Sequence, residues 1–309
     1  MPSHLFNEFE AYAAAVNDAH VRMLLPRLNV PHWEIATQSV GSIHLQKGLE
    51  RSGIIAEGCT NHNDLMLFIP LWGSQSANGV NLGDTSVLIV PPRTEFVIRS
   101  QVEHAWCSLR LPEAIARQFP GYDLAASRNW PGSRVVKSDP RLLTAVRRLV
   151  LEAFDALAAN PLLFQNPGVE AAMEAAILEA CRRALAIHES PYAGPGRLMI
   201  DRGRIIRSLK EEINNGEPEW PAVPVLAKNA GVSERTLRSV CLEYFGVSPQ
   251  RYITIHRLNQ ARQELIASDP RQTKIATIAG KLGFWHLGRF SSQYRSLFGE
   301  LPSATFGRC

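Results

Sequence analysis

The last third of this 309-residue chain repeats itself, and the repeat constrains the fold more than any other feature. Ala227, Gly231 and Val232 recur as Ala279, Gly283 and Phe284, a shift of 52. Leu237, Phe245, Gly246 and Pro249 recur as Phe290, Phe298, Gly299 and Pro302, a shift of 53. Each copy reads as helix, glycine-containing turn, helix. In the first, Pro224–Lys228 leads into Gly231, and Ser233 caps Glu234–Tyr244. In the second, Thr273–Lys281 leads into Gly283, and Trp285–Leu297 follows. Two short helices that cross steeply need a small residue at their contact and a turn residue tolerant of φ > 0. Leu237 and Val240 in one copy, and Phe290 and Tyr294 in the other, are then expected to face the inner helix.

This is the helix-turn-helix pattern, whose second helix lies in the major groove of DNA. Between the copies, Ser248–Pro249 opens a helix expected to run to Ser268, with Tyr252, Ile255, Leu258 and Leu265 on one side. About twenty residues at a 1.5 Å rise make a rod of about 30 Å. That is close to one turn of B-DNA, so two reading helices would reach successive major grooves on one face. The charge agrees. Residues 197–309 hold 17 Lys+Arg against 10 Asp+Glu, a balance of +7, whereas residues 1–196 hold 16 against 19, a balance of −3. A basic third carrying tandem copies of such a motif predicts a DNA-binding module joined to a neutral partner domain.

A composition of 45% hydrophobic and 20% charged residues suits two folded domains and argues against a disordered, collagen-like or disulfide-scaffold chain. The five cysteines, Cys59, Cys107, Cys181, Cys241 and Cys309, are odd in number and scattered, which suits a reducing cytoplasm. The opening residues carry acids where a signal peptide is basic. No stretch approaches the roughly 18 apolar residues of a membrane span. A soluble cytoplasmic protein with no membrane partner is expected.

Residues 5–29 read as helical, ending at Pro26 and Pro31. From about 33 to 111 short apolar runs alternate with turn residues: Ser42–Leu45, Gly53–Ala56, Asp64–Ile69, Ser86–Val90, Glu95–Ile98 and Ala105–Leu109. That spacing predicts an antiparallel sandwich or small barrel. Two helices follow within residues 139–190. One opens at Asp139–Pro140, with a stripe of Leu142, Val146, Leu149, Val150, Phe154 and Leu157. The other follows Asn166–Pro167 and carries Val169, Met173, Ala176, Ile177 and Ala180. Such stripes mean core packing or a dimer seam. Residues 191–198, within a Pro/Gly-rich stretch where the charge changes sign, form the expected linker. The organisation is therefore 1–190, 191–198 and 199–309, an α+β chain of two domains: a β-sandwich or barrel with flanking helices, then an all-α domain with two helix-turn-helix motifs.

Gly231-Val-Ser-Glu-Arg-Thr-Leu237, Phe245-Gly-Val-Ser-Pro249, Tyr252, Arg257-Leu258, Ala261, Leu265, Ile278-Ala279, Leu282-Gly-Phe284 and Phe298-Gly299 together resemble the DNA-binding domain of AraC-type bacterial transcription regulators. The likeness covers roughly residues 200–309. Leu282-Gly-Phe-Trp-His-Leu-Gly-Arg-Phe290 and Leu297-Phe-Gly-Glu-Leu-Pro302 look most like the branch containing the ethanolamine-operon regulator. The sequence departs from the wider pattern at Trp285-His286-Leu287-Gly288, where polar residues are commoner. By motif position the resemblance assigns Arg235, Arg238 and Ser239 to base edges in the first reading helix, and His286, Leu287, Arg289, Ser292 and Gln293 in the second. The chemistry fits: Arg can donate two bonds to guanine, Gln can pair with adenine, and Leu can meet a thymine methyl. Lys228, Arg251, Arg257, Lys274 and Arg295 are expected at phosphates, giving affinity and salt dependence without sequence information.

The resemblance further implies an effector-responsive activator that dimerises, meets RNA polymerase and senses a small molecule through a cupin-like front domain. Gly83-Asp-Thr-Ser-Val-Leu-Ile-Val-Pro-Pro92 looks like the cupin strand ending in a proline turn, but Arg93-Thr-Glu-Phe96 stands where metal-dependent cupins carry a histidine. His44, Phe68, Trp72, Phe96 and Trp106 are candidate pocket residues; core packing explains each equally well. Cys59-x-x-His62 and His104-x-x-Cys107 suit zinc chemically. Strand alternation puts residues three apart on opposite faces unless a turn intervenes, as it does around Cys59 and His62 but not around His104 and Cys107, and no metal or cofactor is expected. A Cys/His/Asp nucleophilic set has no local signature, so no catalytic residue is expected either. The rival readings are a cupin-type metal-dependent enzyme with an appended DNA-binding module, and a constitutive activator whose front half only dimerises.

Overall fold

The computed structural model describes residues 4–16, 19–26, 32–60, 64–119, 132–186, 201–215 and 220–306. The chain forms two compact units, one of Met1–Met23, Val30–Ser52 and Ala56–Pro195, the other of Leu24–Asn29, Gly53–Ile55 and Gly196–Cys309. The linker expected at 191–198 lies outside the described residues.

The first unit is β-rich. Its strands are β1 (His4–Phe6), β2 (Ala19–Leu24), β3 (Trp33–Val40), β4 (Ile43–Glu50), β5 (Ile55–Thr60), β6 (Asp64–Trp72), β7 (Gln75–Ala77), β8 (Val80–Leu82), β9 (Ser86–Val90), β10 (Glu95–Ser100), β11 (His104–Pro112) and β12 (Arg134–Lys137). They form a seven-stranded sheet, order β1-β3-β4-β11-β6-β9-β12, and a five-stranded sheet, order β2-β5-β10-β7-β8. Every neighbouring pair of the larger sheet is antiparallel. The helices are α1 (Phe9–Ala15), α2 (Glu113–Ala116), α3 (Pro140–Ala159) and α4 (Pro167–Ala186).

The helical reading of residues 5–29 is corrected here. Among the described residues of this stretch only Phe9–Ala15 is helical; Ala19–Leu24 is a strand beside β5, paired into the smaller sheet with Met23 and Leu24 buried. By contrast, the helix expected at Asp139–Pro140 starts there, the Asp139 carboxylate accepting from the amides of Arg141 and Leu142.

Strand alternation divides the larger sheet into two faces. Ile43 and Leu45 of β4 and Cys107, Leu109 and Leu111 of β11 pack with Leu143, Val146, Val150 and Phe154 of α3 and Ile177 and Cys181 of α4. Of the apolar stripes, Val146, Val150, Phe154 and Ile177 lie in this core, with Leu142, Leu149, Met173 and Ala180 partly buried against it. The β3–β4 hairpin turns at Gly41 (φ 58°), and α4 holds it, Glu170 accepting from the Gly41 amide at 2.9 Å and Glu174 from the Ser42 amide at 2.9 Å.

On the other face sits a closed polar cluster. Glu50 is fully buried and accepts from the Tyr12 hydroxyl at 2.6 Å and the Trp106 indole N–H at 2.9 Å. The His104 ring lies 3.1 Å from its second oxygen. Trp106 lies flat on Gly48, where any Cβ would come within 2.5 Å of the indole. It also stacks on Phe68, ring centroids 5.6 Å apart.

Candidate nucleic-acid interface

The second unit is helical: α5 (Arg202–Asn215), α6 (Val223–Asn229), α7 (Glu234–Phe245), α8 (Pro249–Ala267), α9 (Ile275–Lys281), α10 (Leu287–Phe298) and α11 (Pro302–Phe306). The duplication in sequence is a duplication in hydrogen bonding. In the first turn the Gly231 amide donates to Lys228 at 3.0 Å and the Val232 amide to Ala227 at 3.0 Å. In the second, Gly283 donates to Gly280 at 2.9 Å and Phe284 to Ala279 at 2.9 Å. Gly231 and Gly283 both hold positive φ, 69° and 74°, which side chains other than glycine's rarely adopt. Both outer helices end the same way, on Gly246 and Gly299 in the left-handed region, each amide donating four residues back.

Packing follows the same repeat. Ala227 and Ala279 are buried where the paired helices cross, and Leu237, Val240, Phe290 and Tyr294 are buried on the inner faces of α7 and α10. Between the copies α8 is capped by Ser248, whose hydroxyl accepts from the Arg251 amide, and it buries Tyr252, Ile255, Leu258 and Leu265. Helix α5 went unread in the sequence. Its Ile205, Ile206, Leu209 and Ile213 are buried, and Arg202 bridges to Glu243 of α7 at 3.1 Å. The i, i+3/i+4 spacing of those four residues was the signal that could have shown it.

The outward face of each reading helix is exposed. Arg235, Arg238 and Ser239 are exposed on α7. Leu287, Arg289 and Ser292 are exposed on α10, with Gln293 half-buried. His286, also exposed, is the residue that precedes α10, and Trp285 stands before it, so the second reading helix starts two residues later than its sequence suggests.

The phosphate candidates divide. Lys228, Lys274 and Arg295 are exposed. Arg251 is half-buried, and its guanidinium lies 3.4 Å from the carbonyl of Pro26, in a segment of the same compact unit. Arg257 is more deeply engaged. Its Nε donates to the Leu282 carbonyl at 2.6 Å, and its guanidinium sits 4.2 Å from the centre of the Phe284 ring. Burial holds both guanidinium groups below their ordinary pKa. Arg257 thus braces the turn of the second copy.

Among the front-unit candidates, Phe68 and Trp106 meet in the buried stack described above. Phe96 is buried against Gly58, His44 pairs with Ser39 at 3.0 Å, and Trp72 is about half exposed. His104 and Cys107 lie on opposite faces of β11, one beside Glu50 and the other under α3 and α4. His62 lies outside the described residues; among those described, no group of three His, Cys, Asp or Glu could hold a metal ion. No described helix is long and apolar enough to cross a membrane.

A pair of helix-turn-helix units on a shared central helix, each presenting an exposed helix that carries two arginines, defines a helix-turn-helix domain of the tandem kind. Residues 226–308 match the protein family described as "Helix-turn-helix domain". The carboxy-terminal unit is thus a helix-turn-helix domain. The chain is 30% identical over 154 residues to the "Probable thc operon regulatory protein" of Rhodococcus erythropolis, covering 50% of this chain and 44% of that one. It is 40% identical over 106 residues to the "XylDLEGF operon transcriptional activator" of Pseudomonas putida, covering 34% and 32%. The chain therefore spans less than half the length of these curated relatives. Among solved structures it is similar to the AraC-like transcriptional activator CuxR, with 14% identity, a TM-score of 0.45, and coverage of 85% of this chain and 95% of that one.

Proposed function

We propose that this chain is a sequence-specific, DNA-binding transcriptional activator of the AraC type. The observation that carries the reading is the duplicated helix-turn-helix with identical turn hydrogen bonding and two exposed reading faces, on a third of the chain with an excess of positive charge. In this reading Arg235, Arg238 and Ser239 meet one set of base edges, and His286, Leu287, Arg289, Ser292 and Gln293 another. Lys228, Lys274 and Arg295 meet phosphates. Curated relatives bearing the names of operon activators support activation as the outcome.

The β-rich unit acts as a non-catalytic sensor of a small molecule and as the dimerisation half of a cytoplasmic homodimer that engages RNA polymerase. Effector binding favours one arrangement of the dimer and so changes how the two DNA-binding domains address adjacent half-sites; the shift is set by the effector's differential affinity for the two arrangements. The domain limits are those of the sequence: 1–190, a linker at 191–198, and 199–309.

Footprinting of the full-length protein on DNA upstream of its own gene tests the reading, with and without candidate metabolites. Two protected segments about one helical turn apart are expected. Arg235→Ala should relax preference at one base by about 1–3 kcal/mol. Absence of protection at physiological salt would remove the DNA-binding assignment.

A further inference from the structure

The two copies of the repeat differ at the entry to the second helix of each. One residue after the apolar residue of the turn, the first copy has Ser233, whose hydroxyl caps α7 by accepting from the Thr236 amide at 3.1 Å. The second copy has Trp285, 82% exposed, the most exposed large apolar side chain among the described residues, and α10 starts with no side-chain cap. Giving up a cap weakens the start of a helix, and leaving an indole in water forgoes its burial. Three residues on, Gly288 stands in the first turn of α10, where an added Cβ would meet nothing within 4 Å. Packing within the chain therefore does not require that glycine, although glycine in a helix is less favourable than alanine.

Trp285 borders a cleft of about 260 Å³, between α8 and α10, whose walls also include Gln250, Thr254, Arg257, Arg289 and Gln293. Its lining offers an exposed aromatic plane, the Arg289 guanidinium and amide donors, with the charge of Arg257 held nearby against Leu282 and Phe284. That combination complements a polyanion that also presents apolar surface, and duplex DNA is such a ligand. Its apolar surfaces are the thymine methyl in the major groove and the faces of the deoxyribose rings.

We infer that Trp285 is a DNA-contacting residue, its indole packing against an apolar surface of the operator at the edge of the second major-groove contact. The inference rests on the DNA-binding reading above. It assigns to the Trp285–Gly288 departure a specific role: the second reading helix exchanges a cap and a Cβ for close approach to the duplex.

The test begins with a duplex selected from a randomised library by the full-length protein. Its binding is then compared for wild type, Trp285→Ala and Arg235→Ala at fixed salt. Trp285→Ala should weaken binding about tenfold, the worth of an indole face removed from water, with an unchanged melting temperature because the side chain packs on little of the protein. Single thymine-to-uracil replacements separate the two apolar surfaces. If a methyl is the partner, one replacement costs the wild type about fourfold and costs Trp285→Ala nothing. If a deoxyribose is the partner, Trp285→Ala is weakened equally on thymine and uracil duplexes; either pattern supports the inference. If Trp285→Ala binds like wild type while Arg235→Ala loses affinity, the inference is overturned, the DNA-binding reading stands, and the indole serves a protein partner. If the wild type selects no duplex, the DNA-binding reading fails and this inference falls with it.

Discussion

Arg257 donates through Nε to the main-chain carbonyl of Leu282 at 2.6 Å, across the turn of the second helix-turn-helix. The same guanidinium covers Phe284, and a Cβ on Gly283 would come within 2.8 Å of it. One side chain on the central helix thus holds the turn that aims α10. Arg257→Ala should lower stability by about 1–3 kcal/mol, since it leaves a carbonyl and a ring face without their partner. Footprinting should show the segment read by α10 weakened more than the segment read by α7. Arg257→Lys should not restore it, because an ammonium cannot both stack on the ring and reach the carbonyl.

A second brace closes the carboxy-terminal end. Glu300 pairs with Arg262 at 2.7 Å and accepts from Thr305 at 2.8 Å, while the Tyr294 and Thr305 hydroxyls lie 2.8 Å apart. The Arg262 side chain is 8% exposed and that of Glu300 17%. Removing one partner of a buried pair leaves an uncompensated charge, so Glu300→Ala should cost about 3 kcal/mol. Denaturant unfolding of the full chain measures it, and Glu300→Gln should cost less because it keeps an acceptor.

The buried Glu50 cluster predicts an alkaline limit to stability. Burial first, then the Glu50 charge, raises the Tyr12 hydroxyl well above its ordinary pKa. The unfolded chain releases that proton near pH 10 while the folded chain keeps it. The contribution of Tyr12 is thus fully present below about pH 10 and lost as pH rises through the folded value. Melting temperature against pH should fall above about pH 10, and Tyr12→Phe should flatten the fall. Tyr244 and Tyr294, also raised chiefly by burial, should leave a residual slope in that variant.

Thiol reactivity should follow burial. Cys107, Cys181 and Cys241 have their thiols pushed up to about 12, chiefly by burial, whereas Cys59 is partly exposed. Because the thiolate is the reactive form, brief alkylation of the native protein near neutral pH, mapped by mass spectrometry, should label Cys59 ahead of those three. Equal labelling would mean that the native core opens readily.

The features legible in the sequence share a physical character. Asp139, Ser233 and Ser248 cap helices through bonds to amides two or three residues away, and Gly231 and Gly283 answer a backbone demand at their own positions. Such requirements are local, so residue type and spacing reveal them. Ala19–Leu24 was illegible because its strand conformation depends on a neighbour, β5, distant in sequence. The bond from Arg257 to the Leu282 carbonyl, 25 residues away, is not legible in the sequence either. Glu50 drew no notice for the same reason, its partners coming from α1 and β11.

The amino-acid sequence by itself determined the tandem helix-turn-helix, its central helix and the concentration of positive charge there, since periodicity, caps and glycines act over a few residues. Tertiary structure decided which cations stay exposed and which brace a turn, and it joined Tyr12, Glu50, His104 and Trp106 in one buried cluster. It also left Trp285 uncovered beside the second reading helix. Burial and partnership depend on what the rest of the chain brings alongside, and no local spacing encodes that.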